Sequence, residues 1–191
     1  MPKENNTNQL ITLGLIIVII IAAIILLYVN FPRTENIIQD ENILNLKYGD
    51  QQINYTISEL ESLESYNGIG GFINRVNKTY GPYEYTGVPI SYLIEQMTNI
   101  PENYSLLITA SDGWETTFDI NKIHGNVEIY NETGTKEGTG NTTMIIAYKE
   151  NGEYITNPDE GPYRVTFVDD YYTSSSLWSR MVESIEIIEE Q

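Results

Sequence analysis

The chain has 191 residues, with 10 Lys and Arg against 27 Asp and Glu and a formal net charge of −17. It has no cysteine, which excludes disulfides, thiolate metal ligands and cysteine nucleophiles. So acidic a chain is unsuited to nucleic acid and to anionic lipid headgroups, and a solvated acidic surface is its default use.

The first nine residues are polar and too few to fold. Leu10 to Val29 is an almost unbroken run of Leu, Ile, Val and Ala. As a helix it rises about 30 Å, the thickness of a bilayer core. A cleaved secretory signal has a shorter apolar region, about 7–15 residues, followed by a small-residue cleavage site. Here Tyr28-Val-Asn-Phe-Pro-Arg33 comes next, so the run is expected to stay as one transmembrane helix over residues 10–29. Tyr28 and Phe31 would then sit at the membrane interface. Lys3 on one side, and Arg33 and Lys47 on the other, give the positive-inside rule little to count. Asn-x-Ser/Thr acceptors at Asn54, Asn77, Asn103, Asn131 and Asn141 favour the outside for the residues C-terminal to the run. The expected arrangement is a single-pass protein of the cell membrane, its C-terminal domain outside. Residues 30–42 read as a stalk, and residues 43–191 as one domain with one core.

Within that domain, Ile43–Tyr48 and Gln52–Thr56 alternate around Gly49-Asp50, which predicts a β-hairpin. Ser58-Glu-Leu-Glu61 has the form of a capping box and predicts a short helix through Leu63. Tyr66 to Ile73 is glycine-rich and apolar, a strand with close backbone approach. The stretch from Tyr80 to Trp114 is the expected organising unit. Gly81-Pro82 makes a turn, and Thr86-Gly87 caps a helix with Pro89 in its first turn. Ile90, Leu93, Ile94 and Met97 give that helix its apolar face, and Leu106-Leu-Ile108 form a buried strand. Ser111-Asp-Gly113 then turns the chain. Asp119–Ile123 suits one helical turn, and His124–Gly140 an exposed loop with a strand at Val127–Ile129. Strands are expected at Thr143–Tyr148, Tyr163–Val168 and Ile185–Ile188, with a hairpin turn at Glu150-Asn-Gly152. A helical reading of Leu177–Met181 stays open. The fold class is α+β, mainly β.

Five segments occur in an order that carries a resemblance. They are Tyr85-Thr-Gly-Val-Pro-Ile90, Ala110-Ser-Asp-Gly-Trp114, Met144-Ile-Ile-Ala-Tyr148, Glu160-Gly-Pro-Tyr-Arg164 and Trp178-Ser-Arg-Met-Val-Glu-Ser-Ile185. Together they resemble the oxidoreductase molybdopterin-binding domain, the fold of sulfite oxidase. The likeness runs from about Ile43 to Ile188 and is nearest to the small, membrane-attached, often archaeal members. It implies a mixed α+β fold with a largely β core. In catalytic members a cysteine thiolate ligates molybdenum, and basic residues hold the pterin phosphate. The strand Tyr66-Asn-Gly-Ile-Gly-Gly71 lies where the cysteine would fall, and this chain has none. A soft thiolate is not casually replaced at such a centre. Val168-Asp-Asp-Tyr-Tyr172 stands where the family has a basic, glycine-containing segment, and its carboxylates would repel a phosphate. Arg164 and Arg180 do fall on the family pattern.

Tyr66, Trp114, Arg164 and Arg180 are therefore the expected lining of a pocket. No catalytic residue and no metal ligand is assigned. Asp112 before Gly113 suits a turn better than a site. His124, the only histidine, has no nucleophile motif beside it. Asp159-Glu160 with Asp169-Asp170 matches no calcium loop. The chain's 15 Tyr and 2 Trp suit a recognition surface as well as strand packing. The reading these residues favour is a binding or accessory module with no cofactor, taking an unknown protein or small-molecule ligand. The alternatives are a redox enzyme that keeps molybdopterin through non-thiolate contacts, and a structural component of the cell surface.

Overall fold

The computed structural model describes residues 4–30, 42–169 and 172–190. The chain divides into two compact units, Met1–Ile37 and Ile38–Gln191.

The first unit holds one helix, α1 (Glu4–Asn30). Ile11 and Leu13 are typical of its described side chains, at 59% and 56% exposed. Among the described residues no helix is long and apolar enough to cross a membrane. The described side chains of α1 are residues 11–23 and Leu26; the rest of the Leu10–Val29 run, Tyr28 included, lies outside them. Phe31 and the stalk up to residue 41 lie outside the described residues altogether.

The second unit begins with the expected hairpin, β1 (Leu44–Tyr48) and β2 (Gln51–Tyr55), turned at Gly49. A short helix follows, α2 (Ile57–Ser62), two residues earlier than Ser58-x-x-Glu61 suggested. Thr56 is the N-cap: its hydroxyl accepts from Glu59 N, and the Glu59 carboxylate accepts from Thr56 N. Both spacings fit a capping box, and the earlier one buries Ile57 and Leu60. Thr56→Ala is expected to cost about 1 kcal/mol, read as a lower urea midpoint at unchanged slope, whereas Ser58→Ala leaves the midpoint in place.

Strands β3 (Tyr66–Ile73) and β4 (Thr79–Pro89) pair antiparallel. Gly81-Pro82 is not the turn the sequence suggested. It lies inside β4, opposite a shift of register between Gly70 and Phe72. Thr86-Gly87 is likewise strand, and the helix behind it, α3 (Ile90–Ile94), starts directly after Pro89. Strand pairing of Thr86 and Gly87 with both β3 and the next sheet neighbour outweighs their capping chemistry. Then come β5 (Tyr104–Ala110), β6 (Glu115–Asp119) and the one-turn helix α4 (Ile120–Ile123), capped by Asp119. The stretch expected as a loop is a hairpin, β7 (Asn126–Tyr130) and β8 (Lys136–Asn141). It is polar on its exposed face, which hid its pairing. The chain closes with β9 (Thr143–Glu150), β10 (Glu153–Tyr154), β11 (Arg164–Val168), β12 (Tyr172–Ser174), a 3₁₀ turn at Ser175–Leu177 and β13 (Val182–Glu189). The helix considered at Leu177–Met181 is this 3₁₀ turn, placed mostly before it.

A five-stranded sheet has the order β2-β1-β13-β5-β6, with β1 and β13 parallel. An eight-stranded sheet has the order β10-β9-β4-β3-β12-β7-β8, and β11 pairs with β9. The main core draws Leu44, Leu46, Leu106, Ile108 and Ile185 from the first sheet, and Met144, Ile146, Val165 and Phe167 from the second. Alternation sends the other side of β9 and β11 elsewhere. Ile145, Ala147 and Val168 join Tyr85, Ile155 and Trp178 in a second apolar cluster. Strands buried on both faces explain why Met144-Ile-Ile-Ala-Tyr148 is continuous rather than alternating.

Candidate functional site

The second cluster is where Arg164 lies. Its side chain is 8% exposed. Tyr85 and Trp178 cover the guanidinium, whose carbon is 6.0 Å and 5.5 Å from their ring centres. Trp178 is fixed by its Nε1–H, which donates to Thr173 Oγ1 at 2.8 Å. Arg164 Nη1 donates to Glu150 Oε2 at 3.1 Å, and Nη2 lies 3.2 Å from Glu160 Oε2. Glu160 Oε1 accepts in turn from Arg180 Nη1 at 2.9 Å. The result is a row of alternating charge, Glu150, Arg164, Glu160, Arg180. The two carboxylates neutralise Arg164, which holds no net positive charge for an outside anion.

Tyr85 is fully buried beside this row, and its hydroxyl has no hydrogen-bond partner among the described residues. Burial pushes its pKa well up; the Arg164 charge opposes the shift, and the nearby Glu150 carboxylate adds to it. Tyr163 is raised by burial in the same way, under a hydroxyl that donates to Asn42 O at 2.9 Å. Raised tyrosine values mean that the native chain keeps protons which the unfolded chain releases. Stability from these groups is complete below the ordinary tyrosine value of 10.0 and is lost as pH rises through it. The unfolding free energy is expected to fall between pH 9 and pH 11, approaching about 1.4 kcal/mol per pH unit above pH 10 for each such tyrosine. Tyr85→Phe is expected to flatten that fall.

Tyr66 stands apart from Arg164. Its hydroxyl donates to Asp169 Oδ1 at 2.6 Å, and Thr143 Oγ1 donates to Asp169 Oδ2 at 2.6 Å. Asp169 has φ 108, rare for a residue with a side chain, and its N–H donates to Ile69 O at 2.9 Å. The carboxylate expected to repel a phosphate is thus tied to the start of β3 and β9. Asp170 lies outside the described residues. Tyr66 also lines a small recess of about 70 Å³ with Glu64, Ser65, Pro89 and Tyr92. Among the described residues no group of three or more His, Cys, Asp or Glu side chains could hold a metal ion. His124 ends α4, its N–H donating to Ile120 O.

The strand where the resemblance would place a cysteine has no room for one at its glycines. A Cβ at Gly70 would meet Phe167 O at 2.4 Å, and one at Gly68 would meet Val168 Cγ2 at 2.6 Å. At Gly71 it would meet both the Tyr172 ring and Tyr80 O at 2.6 Å. Here β3 lies directly against the end of β11. The residues present do not fit a thiolate-held molybdenum centre, and the arginine nearest the family's phosphate-binding pattern is already paired.

Trp114 and Arg180 do share a groove. They line one groove of about 560 Å³, with Arg75, Asp112, Thr116 and Ser179 among its other walls. Trp114 is 67% exposed. A second groove, of about 660 Å³, lies near Asn42, Asn157 and Tyr163. Neither groove is lined by Tyr66 or Arg164. Of the four candidates, then, two share a groove; Arg164 is linked to it only through Glu160, and Tyr66 is elsewhere. Tyr85, Glu150, Glu160 and Trp178 were not among the pocket residues expected from the sequence. The i,i+4 pairing of Glu160 with Arg164 was the available signal, masked by the intervening Gly161-Pro162.

No family model matches the chain, and no curated protein matches it. Among solved structures it is similar to the sulfane dehydrogenase SoxCD from Paracoccus pantotrophus, with a TM-score of 0.58 and 17% sequence identity. The match covers 78% of this chain and 39% of that one, so the chain spans well under half the length of its structural neighbour. At this identity the likeness shows the fold alone. That fold agrees with the mixed, largely β arrangement that the five segments implied.

Proposed function

We propose that this chain is a membrane-anchored, extracytoplasmic binding module that uses a molybdopterin-binding-domain fold without a molybdenum centre. The closed charge row around Arg164 carries this reading. A pterin phosphate needs an open cationic partner, and this guanidinium is covered by Trp178 and Tyr85 and balanced by Glu150 and Glu160. The crowded glycines of β3 support it independently. The apolar run Leu10–Val29 supports the anchor. Asn54, Asn77, Asn103 and Asn141 are exposed, which is compatible with glycans on an outside domain. An open groove with an exposed indole favours binding over a purely structural surface role.

The test is metal and pterin analysis of full-length protein purified from its own host. Neither molybdenum nor tungsten is expected, and no pterin should be released on denaturation. Either metal near one per chain, together with a pterin, would make this a redox enzyme with an unusual ligand set. Peptide mapping of the same sample tests the outside placement, since wholly unmodified acceptor asparagines would remove its glycan support.

A further inference from the structure

The groove at Trp114 has a composition that selects among ligands. The indole is 67% exposed and is not loose. Its Nε1–H donates to Thr116 Oγ1 at 3.1 Å, and its backbone N–H donates to Asp112 Oδ1 at 2.9 Å. The chain thus holds a flat apolar face open to solvent at a fixed angle. Such a face stacks on a ring that is apolar on one side and polar at its rim. The wall around it carries hydroxyls, from Thr116, Ser176 and Ser179. Ser179 Oγ is buried with no hydrogen-bond partner among the described residues. A buried hydroxyl without a partner carries a desolvation cost, and a ligand hydroxyl that reached it would remove that cost.

Charge narrows the choice. A chain with only 10 Lys and Arg places two of them, Arg75 and Arg180, on this groove. Arg75 makes no ion pair among the described residues, and the Arg180 side chain is 50% exposed beyond its contact with Glu160. Arg180 is paired with Glu160, and Asp112 and Glu115 line the same groove, which leaves Arg75 as its one cation outside an ion pair among the described residues. A multiply charged phosphate is poorly matched to that one cation. A single carboxylate can take Arg75, while the acidic side chains accept hydrogen bonds from neutral hydroxyls.

A pyranose ring that carries one carboxylate meets each of these demands. Such a ring has a C–H face to stack on the indole, a carboxylate to offer Arg75 and hydroxyls to offer the wall. We infer that this groove binds an acidic sugar of the uronic-acid type, as a free saccharide or as a unit of an acidic polysaccharide. The inference rests on the binding-module reading above and gives that module its ligand class.

The experiment uses full-length protein in detergent, first assayed for molybdenum and pterin. Short oligomers of galacturonate, glucuronate and mannuronate are titrated by calorimetry, with a neutral malto-oligosaccharide of equal length as the control. At least one uronate is expected to bind about tenfold or more tighter than the neutral chain. Trp114→Ala and Arg75→Ala should each weaken it by about tenfold, with thermal midpoints unchanged because both side chains are exposed. Three results would overturn the inference: no uronate binding at millimolar concentration, equal binding of the neutral chain, or indifference to Trp114→Ala. An extended peptide that binds along the free edge of β6 in place of sugars would do the same. Failure of every uronate in metal-free protein sinks this ligand class and leaves the module reading standing. A molybdenum-loaded sample sinks the module reading whatever the sugars do.

Discussion

Arg164→Ala is expected to destabilise the domain by about 3 kcal/mol, the lower end of the cost of breaking a buried ion pair. The loss has two sources. The guanidinium is 8% exposed and packs under Trp178 and Tyr85, so its removal opens a hole beneath two aromatic rings. It also leaves the Glu150 and Glu160 carboxylates facing an apolar cluster without their shared cation. Those carboxylates are about one-third exposed, at 31% and 30%, so water can reach them, and the upper end near 5 kcal/mol is not expected. Arg180→Ala serves as the control. It removes the outer, half-exposed partner of Glu160 and should cost under about 1 kcal/mol. Replacing Arg164, Glu150 and Glu160 together by Met, Leu and Leu should recover most of the lost stability, because the buried charges then vanish as a set. Urea unfolding of the four proteins measures all of this. A neutral Arg164→Ala would mean that the charge row is not what closes this face, and the main support for a cofactor-free module would go with it.

The fold was more legible than the site, for a physical reason. Period and turn chemistry are local. The β1–β2 hairpin, the turn at Ser111-Asp-Gly113 and the β9–β10 turn at Asn151-Gly152 announce themselves within a few residues. The stretch from Tyr80 to Trp114 does organise the domain, since it supplies β4 to one sheet and β5 to the other. Two features inside it were misplaced because local chemistry is ambiguous there. Gly81-Pro82 and Thr86-Gly87 carry turn and cap signals, but strand pairing with β3 and β9 decides their conformation. The hairpin β7–β8 was missed as a unit because Gly138 and Gly140 weaken the strand pattern.

The site depends on contacts that no local pattern encodes. Arg164 was visible as a candidate, but its partners come from 14 residues upstream and from four residues upstream across a proline. Trp178, the lid of that cluster, belongs to the closing segment and reaches Tyr85 across the chain. The grouping of Trp114 with Arg75 and Arg180 is also long-range, drawn from three separate turns. Sequence pattern could name Trp114 and Arg180, and only folding could put Arg75 beside them.

Gly70→Ala is expected to cost about 3 kcal/mol or more, a large effect for one methyl group. The added Cβ would stand 2.4 Å from Phe167 O, and the obstacle is backbone, so no rotamer change relieves it. Either β3 or the end of β11 must shift, and both are held. Asp169 N–H is bonded to Ile69 O, and the Asp169 carboxylate is bonded to Tyr66 and Thr143. Gly113→Ala is the useful contrast. Gly113 has φ +84 with open space around its Cβ position, so it should cost only about 1–2 kcal/mol, from backbone conformation. The same geometry makes Gly70→Cys a direct probe of the missing thiolate. It carries the alanine clash plus a sulfur, so the expected product is a destabilised domain that takes up no molybdenum, even in a host that makes the cofactor. A Gly70→Cys protein as stable as the parent and loaded with molybdenum would show that β3 and β11 can part to admit the group. The crowding seen at Gly68, Gly70 and Gly71 would then describe one state of the fold, and the case against a metal centre would rest on the absent cysteine and the closed charge row around Arg164.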